Sequence, residues 1–282
     1  MKLRFTKMHG IGNDYIYFNA FDQPIDDPGR LALAVSDRRF GIGGDGIILI
    51  CPSEHADAMM RMFNADGSEG MMCGNAIRCV GKYLYDNRMV SGTTVTIDTL
   101  SGIKTIELSV EDGVAVSAKV DMGGAILTPA DIPMRYDGAR AIGIPLIVGD
   151  DTYTVTAVSM GNPHCVTFVD DPYALELSAI GPLFEHHPAF PARVNTEFVR
   201  VIDERTLQMR VWERGSGETW ACGTGACAAA VAAVENGLCR RNTDITVHLR
   251  GGDLVIRYTD ETVTMTGPAT KVFDGEIETE SL

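Results

Sequence analysis

Seven cysteines stand in this 282-residue sequence, and two of them occupy places where a thiol can act as an acid or a base. Cys73 precedes Gly74-Asn75 and Cys222 precedes Gly223-Thr224, each at the end of a turn and ahead of a stretch with helical spacing. At a helix N-terminus the unpaired backbone N–H groups and the helix dipole favour negative charge. A thiol there is expected to have its pKa lowered from about 8.5, giving more nucleophilic or basic thiolate. The same N–H groups can hold a carboxylate. Such a motif supplies a base and an anion site together.

The two cysteines are related by more than their neighbours. At an offset of 149 (222 − 73) the chain matches itself without a gap over long stretches. Gly12-Asn13 falls on Gly161-Asn162, Arg61 on Arg210, Glu69 on Glu218, Cys73-Gly74 on Cys222-Gly223 and Asn87 on Asn236. These are residue types with restricted structural roles, so the chain reads as two copies of one fold. The expected copies are residues 1–124 and 125–269, with residues 270–282 free to pack on the first and the active site in the cleft between the two.

Local patterns agree between the copies. Residues 46–50 and 199–202 read as strands, as do 59–63 and 207–212. Residues 75–85 and 224–235 read as helices, the second small and apolar all round, as a helix enclosed by sheet would be. Strand pairs follow at 94–97 with 104–108 and at 245–248 with 254–257. The fold class is α+β: two pseudo-symmetric repeats, each a mixed, barrel-like sheet wrapped around a central helix. Residues 128–149, with Pro129, Pro133 and Pro145, read as the connection.

Composition excludes several classes of partner. Lys plus Arg is 24 and Asp plus Glu is 38, a formal charge of 24 − 38 = −14. No basic cluster offers phosphates a surface, so nucleic acid and anionic membranes are not expected partners. No apolar run reaches the roughly 20 residues of a membrane span. The opening MKLRFTKMHG has no apolar signal core and the cysteine count is odd, so a reducing cytoplasm is expected. Cys51, Cys79, Cys165, Cys227 and Cys239 lack the repeat symmetry and read as packing residues. Gly41-x-Gly43-x-x-Gly46 precedes an apolar strand instead of opening a helix, which makes it an accidental dinucleotide pattern. The cysteine spacings fit no usual zinc arrangement, so no metal is expected. His186-His187 reads as a solvated pair.

At FTKMHGIGNDY (5–15), NADGSEGMMCGNAIRC (64–79), VSMGNPHCV (158–166) and ERGSGETWACGTGACAAA (213–230) the sequence resembles the diaminopimelate epimerases over nearly its whole length. The resemblance implies a cofactor-free isomerase, a cytoplasmic homodimer, that interconverts LL- and meso-diaminopimelate on the route to lysine and peptidoglycan. It implies Cys73 and Cys222 as the catalytic pair. It assigns contacts with a small zwitterionic substrate to Asn13, Asn64, Gly74, Asn75, Asn162, Asn195, Glu213, Arg214, Gly223 and Thr224. His164 and Glu213 are its candidates for tuning the thiols. Some members carry a substrate-contacting Gln where this chain has Gly46, which has no side chain to make that contact. Other readings of the paired cysteines are a racemase for a different amino acid, a thiol-redox protein and a binding module.

Overall fold

A computed structural model describes residues 2–278. The chain divides into two compact units: residues 2–120 with 267–278, and residues 121–266. The division falls a few residues from the expected 124/125 and 269/270. It lies inside two strands, Val114–Gly123 and Val263–Pro268.

Within the first unit the pairing runs Thr270–Glu278, Lys2–Gly10, Asn13–Asn19, Gly46–Cys51, Ala58–Asn64, Thr94–Asp98, Lys104–Glu111, Val114–Gly123. Within the second it runs Ile144–Val148, Asp151–Ser159, Pro163–Phe168, Asn195–Asp203, Thr206–Glu213, Asp244–Leu249, Gly252–Tyr258, Val263–Pro268. Both series pair antiparallel except at the third and fifth junctions, which are parallel. Two copies of one mixed sheet are therefore present, as the repeats in the sequence imply.

Among the described residues four α-helices accompany the sheets: α1 (Pro28–Ser36), α2 (Gly74–Asp86), α3 (Leu177–Glu185) and α4 (Gly223–Glu235). The offset of 149 carries α1 onto α3 and α2 onto α4 without remainder. Strand side chains alternate between faces, and the helices use both. Phe5, Ile16, Phe18, Ile47 and Leu49 pack with Leu31, Ala32 and Val35 of α1. Cys165 and Phe198 pack with Leu177 and Phe184 of α3. The alternate positions, Tyr15, Tyr17 and Ile48 in one repeat and His164, Asn195 and Glu197 in the other, therefore face α2 and α4. Ten of the thirteen residues of α4 are buried, among them Ala226 to Ala233 without a break. Alanine makes this possible, since it is the best helix former and lets strands approach closely.

One sequence expectation needs correction, and two elements went unread. Residues 128–149 are more than a connection, because Ile144–Val148 pairs antiparallel with Asp151–Val155 and supplies a strand of the second sheet. Pro145 is admissible there because an edge strand can dispense with one N–H donor. Helices α1 and α3 carried no expectation at all.

Candidate active site

Both cysteines are helix N-caps. Cys73 has extended backbone (φ −132°, ψ 119°), and its Sγ accepts from the Ala76 N–H at 3.4 Å. Cys222 matches it (φ −118°, ψ 105°), accepting from the Gly225 N–H at 3.3 Å. Ser, Thr, Asp or Asn usually fills this place. Sulfur is a weak acceptor as a thiol and a far better one as a thiolate, so the cap bond strengthens when the group ionises.

Around Cys73 stand two neutral amides, Asn13 and Asn75. Its Sγ donates to Asn13 Oδ1 at 3.3 Å, and Asn75 Nδ2 donates to the same oxygen at 3.3 Å. Asn13 is delivered by the turn at Gly12, whose φ of +86° needs a glycine, as Gly161 at +93° delivers Asn162. Asn13 Nδ2 in turn donates to Asp45 Oδ2 at 2.7 Å. Asp45 is flanked by Asp14, Lys7 and Arg38 in one charged cluster. Burial, then the Asp14 charge, raises the Asp45 carboxyl. Burial works the same way on Asp14, but bonds from Arg38 and Lys7 outweigh it and hold Asp14 low. Beneath the helix start lies Arg78, wholly buried, donating to Gly74 O at 2.9 Å, Asn75 Oδ1 at 3.0 Å and Pro268 O at 3.2 Å.

Around Cys222 the partners are titratable. Thr224 Oγ1 lies 3.6 Å from Sγ and accepts from Asn162 Nδ2 at 3.3 Å. Asn162 Oδ1 is 3.0 Å from His164 Nε2, and His164 Nδ1 is 2.7 Å from Glu197 Oε1. His164 and Glu197 are both fully buried. Glu213 accepts a short bond from Thr219. Burial above all raises the Glu213 carboxyl. Burial, then the charges of Glu213 and Glu197, pushes the Cys222 thiol well above its ordinary range. This overturns the expectation of a lowered pKa at Cys222: dehydration and two carboxylates outweigh the helix terminus, and the resting group is a thiol.

The resemblance-assigned residues thus fall into groups within each unit. Asn13, Gly74 and Asn75 gather at Cys73; Asn162, His164, Glu213, Gly223 and Thr224 gather at Cys222. Asn64 lies opposite Gly46 on the neighbouring strand and bonds Ser68 Oγ at 3.0 Å. Asn195 is tied elsewhere, donating to Pro163 O and accepting from the Arg214 N–H, each at 2.9 Å. The Arg214 guanidinium is exposed and donates to Ala192 O at 3.0 Å. Among the others, Cys79, Cys165 and Cys227 are wholly buried and Cys51 is half-buried. Sequence reasoning missed Glu197, Asp45 and Arg78. Glu197 did leave a signal: it is two residues after Asn195 on one strand, hence on the same face.

Comparison with known proteins agrees with this architecture. The sequence profile described as "Diaminopimelate epimerase" matches residues 5–128 and 156–272. A protein of Acetivibrio thermocellus named diaminopimelate epimerase is 55% identical, covering 99% of this chain and 100% of its own. One of Agathobacter rectalis with the same name is 53% identical, covering 98% and 99%. The crystal structure of a probable proline racemase from Agrobacterium radiobacter shares the fold at a TM-score of 0.72 with 14% identity, covering 98% of this chain and 93% of that one. On the strength of the profile match and these relatives, the chain belongs to the diaminopimelate epimerase family.

Proposed function

We propose that this chain interconverts LL- and meso-diaminopimelate by moving one α-proton through two thiols. Inverting a carbon that carries a proton requires a base on one face and an acid on the other. The observation that carries the reading is the pair of cysteines capping repeat-equivalent helices, one per repeat. In one direction the Cys73 thiolate takes the α-proton and becomes a thiol. The Cys222 thiol, held protonated by its surroundings, gives its own proton to the opposite face and becomes a thiolate. The C–H bond broken and the C–H bond formed balance, and the two sulfurs have exchanged roles. The reverse reaction starts from that exchanged state.

An α-proton is far less acidic than a thiol, so the negative charge gathering on the α-carboxylate must be met by preorganised dipoles in a dry site. The N–H groups opening α2 and α4, at Gly74-Asn75 and Gly223-Thr224, suit that task. Asn13, Asn64, Asn162 and Asn195 fix a zwitterion without trapping its charge. Arg214 suits a carboxylate and Glu213 an ammonium. The full reading is a homodimeric cytoplasmic enzyme on the route to lysine.

Incubating the reduced protein with LL-diaminopimelate in deuterated water tests this. The expected result is meso product carrying one solvent deuterium at the inverted carbon, read by NMR and chiral chromatography. Absence of both conversion and exchange would remove the epimerase reading.

A further inference from the structure

The repeat equivalents of His164 and Glu197 are Tyr15 (164 − 149) and Ile48 (197 − 149). The second repeat thus carries a buried imidazole and carboxylate where the first carries an aromatic and an aliphatic residue. Both are fully buried, 2.7 Å apart, and Glu197 Oε2 is buried with no hydrogen-bond partner among the described residues. A carboxylate so placed is costly unless a neighbour carries the compensating charge. Gly225 in the first turn of α4 leaves room for it: a Cβ there would stand 2.7 Å from Glu197 Oε1 and 3.1 Å from Cys222 Sγ.

His164 meets an acceptor on each side, Glu197 Oε1 at Nδ1 and Asn162 Oδ1 at Nε2. Toward an ionised Glu197, a neutral ring has one N–H and satisfies one of them; only the imidazolium then satisfies both. With Oδ1 engaged by the ring, Asn162 turns Nδ2 to Thr224 Oγ1. The Thr224 oxygen is then an acceptor toward Asn162, and its own hydrogen is free to point at Cys222 Sγ, 3.6 Å away. A neutral ring with a bare Nε2 would call for the flipped amide. The Thr224 hydrogen would then be drawn to Oδ1 and away from sulfur.

We propose that Glu197 is a positioning residue that holds His164 doubly protonated, and that this proton, passed on as the orientation of Asn162 and Thr224, aims a hydroxyl donor at Cys222 for the moment it becomes a thiolate. No atom is transferred along the chain; only the sense of its hydrogen bonds is set. The titratable groups facing the ring's surroundings are Glu197 on its strand, Glu213 on the next and Cys222 at the start of α4, with Cys165 on the opposite face of the ring's own strand. Removing the Glu197 charge reorients the Asn162 amide and the Thr224 hydroxyl and takes the donor from the nascent thiolate.

This inference rests on the epimerase reading for its kinetic arm only. The ring of His164, assigned with a His164→Gln control, is observed by long-range proton–nitrogen NMR in the full, reduced chain at neutral pH. In the unaltered chain both ring nitrogens are expected to be protonated; in Glu197→Gln one is expected to be bare. Turnover in Glu197→Gln should fall on the order of 10²-fold, the scale of a displaced proton-transfer aid, with the loss falling more on kcat than on KM. Glu197→Asp should restore the second ring proton and part of kcat. A neutral ring in the unaltered chain, in either tautomer, overturns the proposal even if the Gln variant fails to fold. So does a second proton that persists in Glu197→Gln. A doubly protonated ring in a chain that turns over no diaminopimelate would support the ring assignment while overturning the epimerase reading.

Discussion

Cys73 and Cys222 begin equivalent helices with nearly the same backbone angles, yet one sits among amides and the other among carboxylates. Asn64 in the first repeat stands where Glu213 stands in the second, Asn75 where Thr224 stands, and Arg78 where Cys227 stands. The shared part is backbone: a turn, an N-cap, a helix against a sheet. The divergent part is charge. The two repeats hold their thiols in one backbone geometry, and burial with the carboxylates around the second raises that thiol.

The comparison can be broken most forcefully by removing each sulfur. Cys73→Ala and Cys222→Ala are each expected to lower turnover by at least about 10³-fold, as loss of an acid–base group does, while Cys239→Ala leaves it unchanged. Steady-state rates in both directions decide this; near-full activity in either site variant would contradict two-thiol chemistry. Next in size is the buried pair at positions 78 and 227. Arg78→Leu strands three acceptors that the guanidinium now satisfies and should cost about 3–5 kcal/mol in urea unfolding. Cys227→Ala removes one buried sulfur within the Ala-rich α4 and should cost about 1 kcal/mol. Equal losses would mean that the two helix starts are held in the same way.

The smallest effect is electrostatic. The Glu213 charge raises the Cys222 thiol, so Glu213→Gln should shift Cys222 alkylation to lower pH by up to about one unit. Cys222 is a thiol that becomes an anion, so a raised pKa means that it reacts only as the pH climbs; taking away a negative neighbour makes the anion available earlier. Mass-spectrometric alkylation profiles measure this. A profile moved to higher pH would show that the carboxylate stabilises the thiolate instead.

Much of this was legible in the sequence, for physical reasons. The restricted roles of Gly12, Asn13, Cys73 and Gly74 are why their repeats survive at one offset and point to two copies of one fold. The all-apolar run in α4 told of a helix enclosed by sheet, and the structure buries ten of its residues. Helices α1 and α3 escaped notice because nine residues give only about two and a half turns of periodicity, and α3 carries Pro182 inside it. Ile144–Val148 was hidden by Pro145. The raised Cys222 thiol depends on burial and on Glu197 from a distant strand, neither of which local spacing can express. Glu197 itself looked like one more acidic residue among thirty-eight, and only the strand face on which it lies separates it from the rest.

The strand Thr270–Glu278 pairs with Lys2–Gly10, joining residue 2 to residue 278, whereas residues 121–266 form their unit from one continuous stretch. On a ribosome the order of synthesis and the order of completion therefore cross. The repeat made second has all its strands in hand once residue 268 has emerged, while the repeat made first waits with the Lys2–Gly10 strand lacking one neighbour. An unpaired edge is where a chain misassembles. The half that carries Cys73 is thus the one that spends longest unfinished, and the stretch around residues 270–278 is what ends that exposure.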